Sequence, residues 1–191
     1  MMKKSLLLLA ALVLGGCATH WPETALLNPQ VIPSNQQYYS GNRITMEGVD
    51  KREAAYVFSI KKKEKAPVLV NSSQPLNSLL AEKLAEGLRS QGLEVGNSGT
   101  TNLTLAISTA AVTVEEKTFT YVTKSKVSLQ VIADFQGNKL TKQFNMSSSK
   151  EEPGEPTMAD LESTLNQQLG SVLQQIMADE ALRGYLKGQP S

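Results

Sequence analysis

Among 191 residues there is a single cysteine, Cys17, and its surroundings define the one covalent chemistry the sequence announces. A thiolate is a soft nucleophile able to take a lipid as a thioether. Gly15 and Gly16 stand directly before it and leave an unhindered, extended backbone for a peptidase. Upstream, Lys3 and Lys4 give a positive start and Leu6 to Leu14 an apolar run, the three-part layout of a secretory signal peptide. That run rises only about 14 Å as a helix, roughly half the hydrocarbon thickness, so it is too short for a permanent span.

Leu14-Gly15-Gly16-Cys17 resembles the bacterial lipobox, in which a diacylglyceryl group is placed on the Cys sulfur before cleavage ahead of it. The expectation is a signal peptide at 1–16 and Cys17 as the first residue of the mature chain. The alternative is an ordinary secretory peptide that ends near an unpaired or buried cysteine. A single acyl chain binds only marginally, at about 0.8 kcal/mol per methylene, so the three chains usual for such proteins give permanent anchoring. By resemblance to enterobacterial lipoproteins, an Asp after the lipidated Cys favours the inner membrane. Ala18 stands there, which implies the inner leaflet of the outer membrane with the domain facing the periplasm. Removing residues 1–16 takes away two lysines and no acid, so the net charge moves from +1 to −1 and no strong field steers the mature chain.

Other chemistries fail on residue counts. His20 is the only histidine and stands three residues from Cys17, far from any expected crevice, so a Ser/His/Asp triad or a Cys/His pair is not expected; one His and one Cys leave no His/Cys metal set, and neither metal nor cofactor is expected. A glycosidase needs only two carboxylates, which brings Glu94, Glu115, Asp134 and Asp160 into consideration. None stands in a context that implies a buried, proton-holding acid: Asp134 falls on an outward phase and Asp160 on a helix cap. Gly96-Asn97-Ser98-Gly99 lacks the Lys and following helix of a phosphate loop. No catalytic residue is assigned and an enzyme is not expected. Nineteen basic against 18 acidic residues also exclude the strongly basic balance of a nucleic-acid-binding domain.

The elements that would carry these residues divide into a lipidated N-terminus and tether over 17–40 and one periplasmic domain over 41–191. Pro22, Pro29 and Pro33 among Asn, Gln and Ser make the tether read as flexible, spanning on the order of 25 to 30 Å. Trp21, Tyr38 and Tyr39 within it are either interfacial anchors or random composition. β-rich runs at Tyr56 to Ile60 and Val68 to Val70 flank Lys61-Lys62-Lys63-Glu64-Lys65, a hairpin tip that serves as an anionic-lipid or phosphate patch, or simply as solvated turn residues. Leucines at 76, 79, 80, 84 and 88 predict a helix over Pro75 to Gln91 that Gly92 closes. Between Asn102 and Met146 three antiparallel strands are expected, joined at Gly137-Asn138, with Phe119 and Tyr121 resuming the inward alternation. The inward phase changes near Ser108 and Thr109, as at a β-bulge. Thr157 and Asp160 cap a second helix that runs to Ala178, with a short helical turn around Ala181 to Leu186. The expected fold is α+β, a two-layer sandwich of a twisted, mainly antiparallel sheet with two long amphipathic helices on one face.

With the lipobox, Leu26-Leu27-Asn28-Pro29-Gln30, the central crossover helix and Gly137-Asn138-Lys139-Leu140-Thr141-Lys142 in place, the chain resembles the YajG family of enterobacterial lipoproteins over close to its full length. The resemblance implies a fold and an address, not a reaction, and carries over only Cys17 as a modified residue. It would permit an ordered strand around Leu26 to Ile32, which would shorten the tether. The expected function is a membrane-anchored, non-enzymatic binding or adaptor domain. Its partner is another envelope protein or peptidoglycan, and by loose analogy of element order it is an accessory to envelope assembly. The alternative is a carrier of a lipid or other apolar ligand between helices and sheet, with Ala106, Ala110 and Ala111 leaving the cavity.

Overall fold

The computed structural model describes residues 21–188. In chain order its elements are β1 (Thr24–Ala25), β2 (Arg43–Asp50), β3 (Tyr56–Lys61), β4 (Val68–Ser72), α1 (Leu76–Ser90), β5 (Glu94–Gly96), β6 (Thr101–Glu116), β7 (Tyr121–Phe135), β8 (Asn138–Glu152), α2 (Met158–Ala178) and α3 (Glu180–Leu186). The leucine stripe of α1 is buried as its spacing requires, and Gly92 ends the helix at φ +89°, a conformation that glycine takes without steric cost. At the start of α2 the Thr157 hydroxyl accepts from the Asp160 N–H while the Asp160 carboxylate accepts from the Thr157 N–H, a complete capping box.

The long strands β6, β7 and β8 form the expected antiparallel meander, and β8 keeps unbroken register with β7. In β6 the inward alternation runs through Leu103, Leu105 and Ile107, then Ala110, Val112 and Val114, and Thr101 and Ala106 are buried as well. The ladder slips between Ile107 and Thr109, so Ser108 is the extra residue that carries the phase change. Because β7 occupies one whole edge of β6, the other edge is free for more strands. It receives two of them end to end, β2 along Thr101 to Ile107 and β3 along Val112 to Glu115, both parallel to β6. The sheet branches from there, β5 joining β2 and β4 followed by β1 joining β3.

The fold is therefore α+β, but two features correct the expected two-layer sandwich. The sheet is mixed, since β1–β4, β2–β5, β2–β6 and β3–β6 are parallel pairs. It is curled into a half-barrel. The short helical turn expected around Ala181 to Leu186 is α3, which packs beside β7, where the Tyr185 hydroxyl accepts from the Phe135 N–H at 3.0 Å and donates to the Asn138 carbonyl. Strand direction against a non-sequential neighbour leaves no trace in period-two alternation, which is why the parallel pairs escape a periodicity reading.

Helices α1 and α2 pack side by side on the sheet, α1 over β2, β5 and β6, α2 over β6, β7 and β8. Leu80, Leu84 and Leu88 from α1 and Leu165, Leu169 and Val172 from α2 are completely buried with Leu105, Val112, Leu129 and Val131 from the sheet. Each such side chain contributes roughly 1.5 to 3 kcal/mol of burial. Helix α1 lies directly on β2: a Cβ at Gly48 would overlap the Asn77 carbonyl, and the Asn77 amide donates to the Gly48 carbonyl at 3.0 Å.

Residues 21–40 depart most from expectation. Where the sequence reads as a tether, the chain is a strap laid over the helices, with Trp21, Ala25, Leu27 and Tyr39 buried. Its backbone is received by one face of α2 at four-residue steps. The Leu26 N–H donates to the Glu162 carboxylate and the Asn28 N–H to the Asn166 side-chain carbonyl, each at 2.8 Å. One turn on, a Cβ at Gly170 would lie 2.5 Å from the Gln30 carbonyl oxygen, and a turn later the Gln174 amide donates to the Ile32 carbonyl at 3.2 Å. Val31 packs at Gly87 of α1 beside Met177 of α2. The strap then finishes on the end of α1, where the Ser34 N–H donates to the Ser90 hydroxyl and the Tyr38 and Tyr39 N–H groups donate to the Gln91 carbonyl. Arg183 of α3 stacks over the Tyr38 ring at 4.0 Å. The three prolines that read as disorder suit this extended path, because Pro22, Pro29 and Pro33 all lie outside its one short ladder, β1 with β4.

Candidate functional site

Cys17, the lipobox residues Leu14, Gly15 and Gly16, the sorting residue Ala18, and His20 all lie outside the described residues. Strand β1 runs parallel to β4, with Thr24 opposite Asn71 and Ala25 opposite Ser72, and the Asn71 N–H donates to the Glu23 carbonyl. The Val68 end of the sheet holds the β3–β4 and β6–β7 hairpin tips.

At this end the two tips touch. The Lys63 N–H donates to the Glu116 carboxylate at 3.1 Å, and its ammonium lies 3.4 Å from the Thr118 hydroxyl. Lys62 reaches the Glu155 carboxylate at 2.8 Å, and this hydrogen bond holds its ammonium above the usual lysine range. Glu115 pairs with Lys117 at 3.1 Å and Lys124 at 3.7 Å. The Lys117 hydrogen bond, then the Lys124 charge, hold its carboxyl below the usual range. The Lys117 N–H closes the β6–β7 turn on the Thr120 carbonyl. Phe119 does not resume the strand alternation as its spacing predicts; it stands at the apex of that turn, 86 % exposed.

The four carboxylates weighed as acid/base candidates are each committed elsewhere and are not brought together as a pair. Glu94 holds Arg43 through contacts of 2.6 and 2.8 Å. Asp134 accepts from the Gly137 N–H in the β7–β8 turn and faces Lys139 at 3.5 Å. Strand spacing puts Glu94 and Asp134 about 14 Å apart, across β5, β2, β6 and β7, outside the roughly 5 to 9.5 Å of glycosidase pairs. Glu115 is at the far end of β6, about 40 Å along the strand from the Asn102 position that pairs with Asp134. Asp160 serves the capping box, and the Thr157 hydroxyl holds its carboxyl below the usual range, the wrong direction for a general acid at neutral pH.

Two further features were not singled out from the sequence. A polar groove of about 590 Å³, lined by Thr123, Ser148, Lys150, Glu155, Asp160 and Gln167, opens between the end of β8 and the first turns of α2. Below it the buried Gln168 amide donates to the Ser125 and Ser148 hydroxyls at 2.5 and 3.0 Å. Gln168 falls beside the apolar stripe of α2, so spacing alone ranks it as a flank. Among the described residues no group of His, Cys, Asp and Glu could hold a metal ion, and no helix is long and apolar enough to cross a membrane.

The fold is similar to that of several solved structures. A Xanthomonas campestris protein of the DUF330 family superposes with a TM-score of 0.64 at 9% identity, covering 87% of this chain and 98% of that one, which establishes likeness of fold. A Helicobacter pylori homolog of a neuraminyllactose-binding hemagglutinin (TM-score 0.47, 9% identity, 85% of this chain and 99% of that one) and a PelC dodecamer from Paraburkholderia phytofirmans (0.37, 9%, 79% and 95%) superpose more loosely. Among curated proteins none matches the chain. Residues 29–187 match the model of a family described as uncharacterized lipoprotein, and the chain belongs to that family.

Proposed function

We propose that the chain is a YajG-like lipoprotein held through lipidated Cys17 in the inner leaflet of the outer membrane. It presents to the periplasm a non-enzymatic binding or adaptor domain that meets another envelope protein or peptidoglycan as an accessory to envelope assembly. The observation that carries this reading is the lipoprotein-family match over residues 29–187. That match begins after Cys17 and owes nothing to the signal segment, so the lipobox supports the same conclusion independently. The strap adds support, because it leaves only three residues between Cys17 and the buried Trp21 and so would hold the domain close to its anchor.

The adaptor reading is favoured over carriage of an apolar ligand by the placement of the small residues. Ala110 is on the inward phase of β6, whereas Ala106 and Ala111 fall on the opposite phase, so the three do not line one cavity. Photo-crosslinking in cells, with recovery of the lipidated protein, tests the proposal. A reproducible envelope-protein partner or cell-wall association is expected. Failure to find either, together with an apolar ligand in native mass spectra, would turn the reading to carriage.

A further inference from the structure

Strand β8 pairs with β7 along its whole length, from Asn138 opposite Phe135 to Glu152 opposite Tyr121, and with no other strand among the described residues. Its second edge therefore presents the N–H and C=O of every second residue over 15 residues, about 50 Å. Proteins usually guard such an edge with a proline, a bulge or an inward-pointing charge. Here the strand holds neither Pro nor Gly, and its register with β7 is unbroken. The lysine in mid-strand that points to the helix side, Lys142, is drawn onto Asp179 at the end of α2, at 2.8 Å. The edge is open to another strand.

The charges of β8 identify the occupant. We propose that it is the β8 strand of a second copy of this chain, laid antiparallel about a twofold axis at Asn145. Asn145 is the midpoint of the strand, so this register uses all of it, with Asn138 opposite Glu152. Lys139 then faces Glu151 at both ends on the open side of the sheet, and no like charges stand opposite each other. Lys139 lies 3.5 Å from Asp134 and Glu151 accepts from the Thr120 hydroxyl, yet both side chains remain exposed and free to meet across the edge. On the helix side, Phe144, buried in the core, faces Met146, half-buried at its rim, so the apolar layer continues across the axis. A slip of one residue would put side chains on the wrong face, so the nearest competing registers are shifted by two. One sets Lys142 opposite Lys150. The other moves Lys139 to Ser149 and leaves Glu151 beyond the strand's end.

Exposed ion pairs contribute little affinity, so Lys139 and Glu151 select the register while the main-chain ladder holds the two copies together. The interface is isologous, the same strand meeting itself. Its axis stands perpendicular to the sheet, so the sheets of the two copies become continuous and their helices and straps lie on one face. The proposal goes beyond the adaptor reading and does not depend on the state of Cys17.

Thiol crosslinking of the full chain in cells tests the proposal, with the parent chain, which carries Cys17 alone, as the background. Asn145→Cys sets two thiols directly opposite each other, on Cα atoms about 4.5 to 5.5 Å apart. Thr141→Cys, on the same exposed face, sets them eight residues apart along the ladder, about 27 Å. Positions 141, 145 and 149 are exposed, so these variants keep the fold. With a short bismaleimide, Asn145→Cys should give a species of twice the chain's mass and Thr141→Cys should not, while chains carrying Thr141→Cys and Ser149→Cys should crosslink when co-expressed. Lys139→Glu in the Asn145→Cys chain should lower the dimer yield several-fold, and adding Glu151→Lys should restore it. No dimer above background from Asn145→Cys, equal dimer from Thr141→Cys, or a yield indifferent to Lys139→Glu overturns the proposal. A crosslinked species of another mass overturns it too, by assigning the edge to a different chain.

Discussion

The strap over α2 and the tip of the β6–β7 hairpin invert each other's sequence signals. The strap has no periodicity and three prolines, yet it buries Leu27 and Tyr39. The tip sits in the most regularly alternating stretch of the chain, yet it exposes Phe119. What separates them is the receiving surface. Helix α2 offers Glu162, Asn166, a bare Gly170 and Gln174 along one face, and these satisfy or make room for successive backbone groups of the strap. Beyond Glu116 and Tyr121 the paired strands end, and nothing is left to cover the ring.

The comparison can be broken most forcefully at Leu27. Truncation of a side chain that is 1 % exposed should cost about 3 kcal/mol in urea unfolding, whereas in a free tether it would cost nothing. Gly170→Ala sharpens the point through its sign. On an open helix face it would stabilise by about 1 kcal/mol. Here the new methyl meets the Gln30 carbonyl, and a net loss of about 1 kcal/mol is expected, with faster amide exchange confined to residues 26–32. At the start of the helix that receives the strap, Thr157→Ala should cost about 1 kcal/mol.

The acid limb provides a smaller effect. Asp50 is held below the usual range by its hydrogen bond from Arg52, and Asp160 by Thr157. Burial pushes Asp179 up, but the Lys142 hydrogen bond and the Leu182 N–H outweigh it and leave its carboxyl lowered. Groups lowered in the folded state contribute stability that is fully present above their unfolded values near about 4 and is lost as pH falls through their folded values. Urea midpoints should therefore fall below about pH 4, and less steeply in Asp179→Asn. The smallest expected effect is at the tip itself: Phe119→Ser should change stability by no more than about 0.5 kcal/mol, because the ring leaves no core behind.

Legibility in the sequence followed the range of the interactions. The start of α2 is readable because the capping box spans three residues, and the Ser108 bulge is readable because it reverses the burial phase within one strand. The strap is hidden because the partners of Leu26 and Asn28 stand 136 and 138 residues downstream, as polar residues on the far side of a helix whose apolar stripe attracts attention first. Phe119 reads as inward because Lys117-Thr118 contains no Gly, Pro or Asn to mark a turn. As for the candidate site, the expectation of a lipid on Cys17 rests on its sequence neighbours alone.

The central claim is that a lipid on the sulfur of Cys17 tethers this domain to a membrane. Intact-mass analysis and vesicle flotation of the purified protein beside its Cys17→Ser variant test it most directly. The account predicts a mature chain that begins at Cys17, carries the added mass of acyl chains and floats with vesicles, while the variant loses both the acyl mass and the flotation. A variant with unaltered flotation, or a parent protein with an unmodified thiol at Cys17, would contradict it.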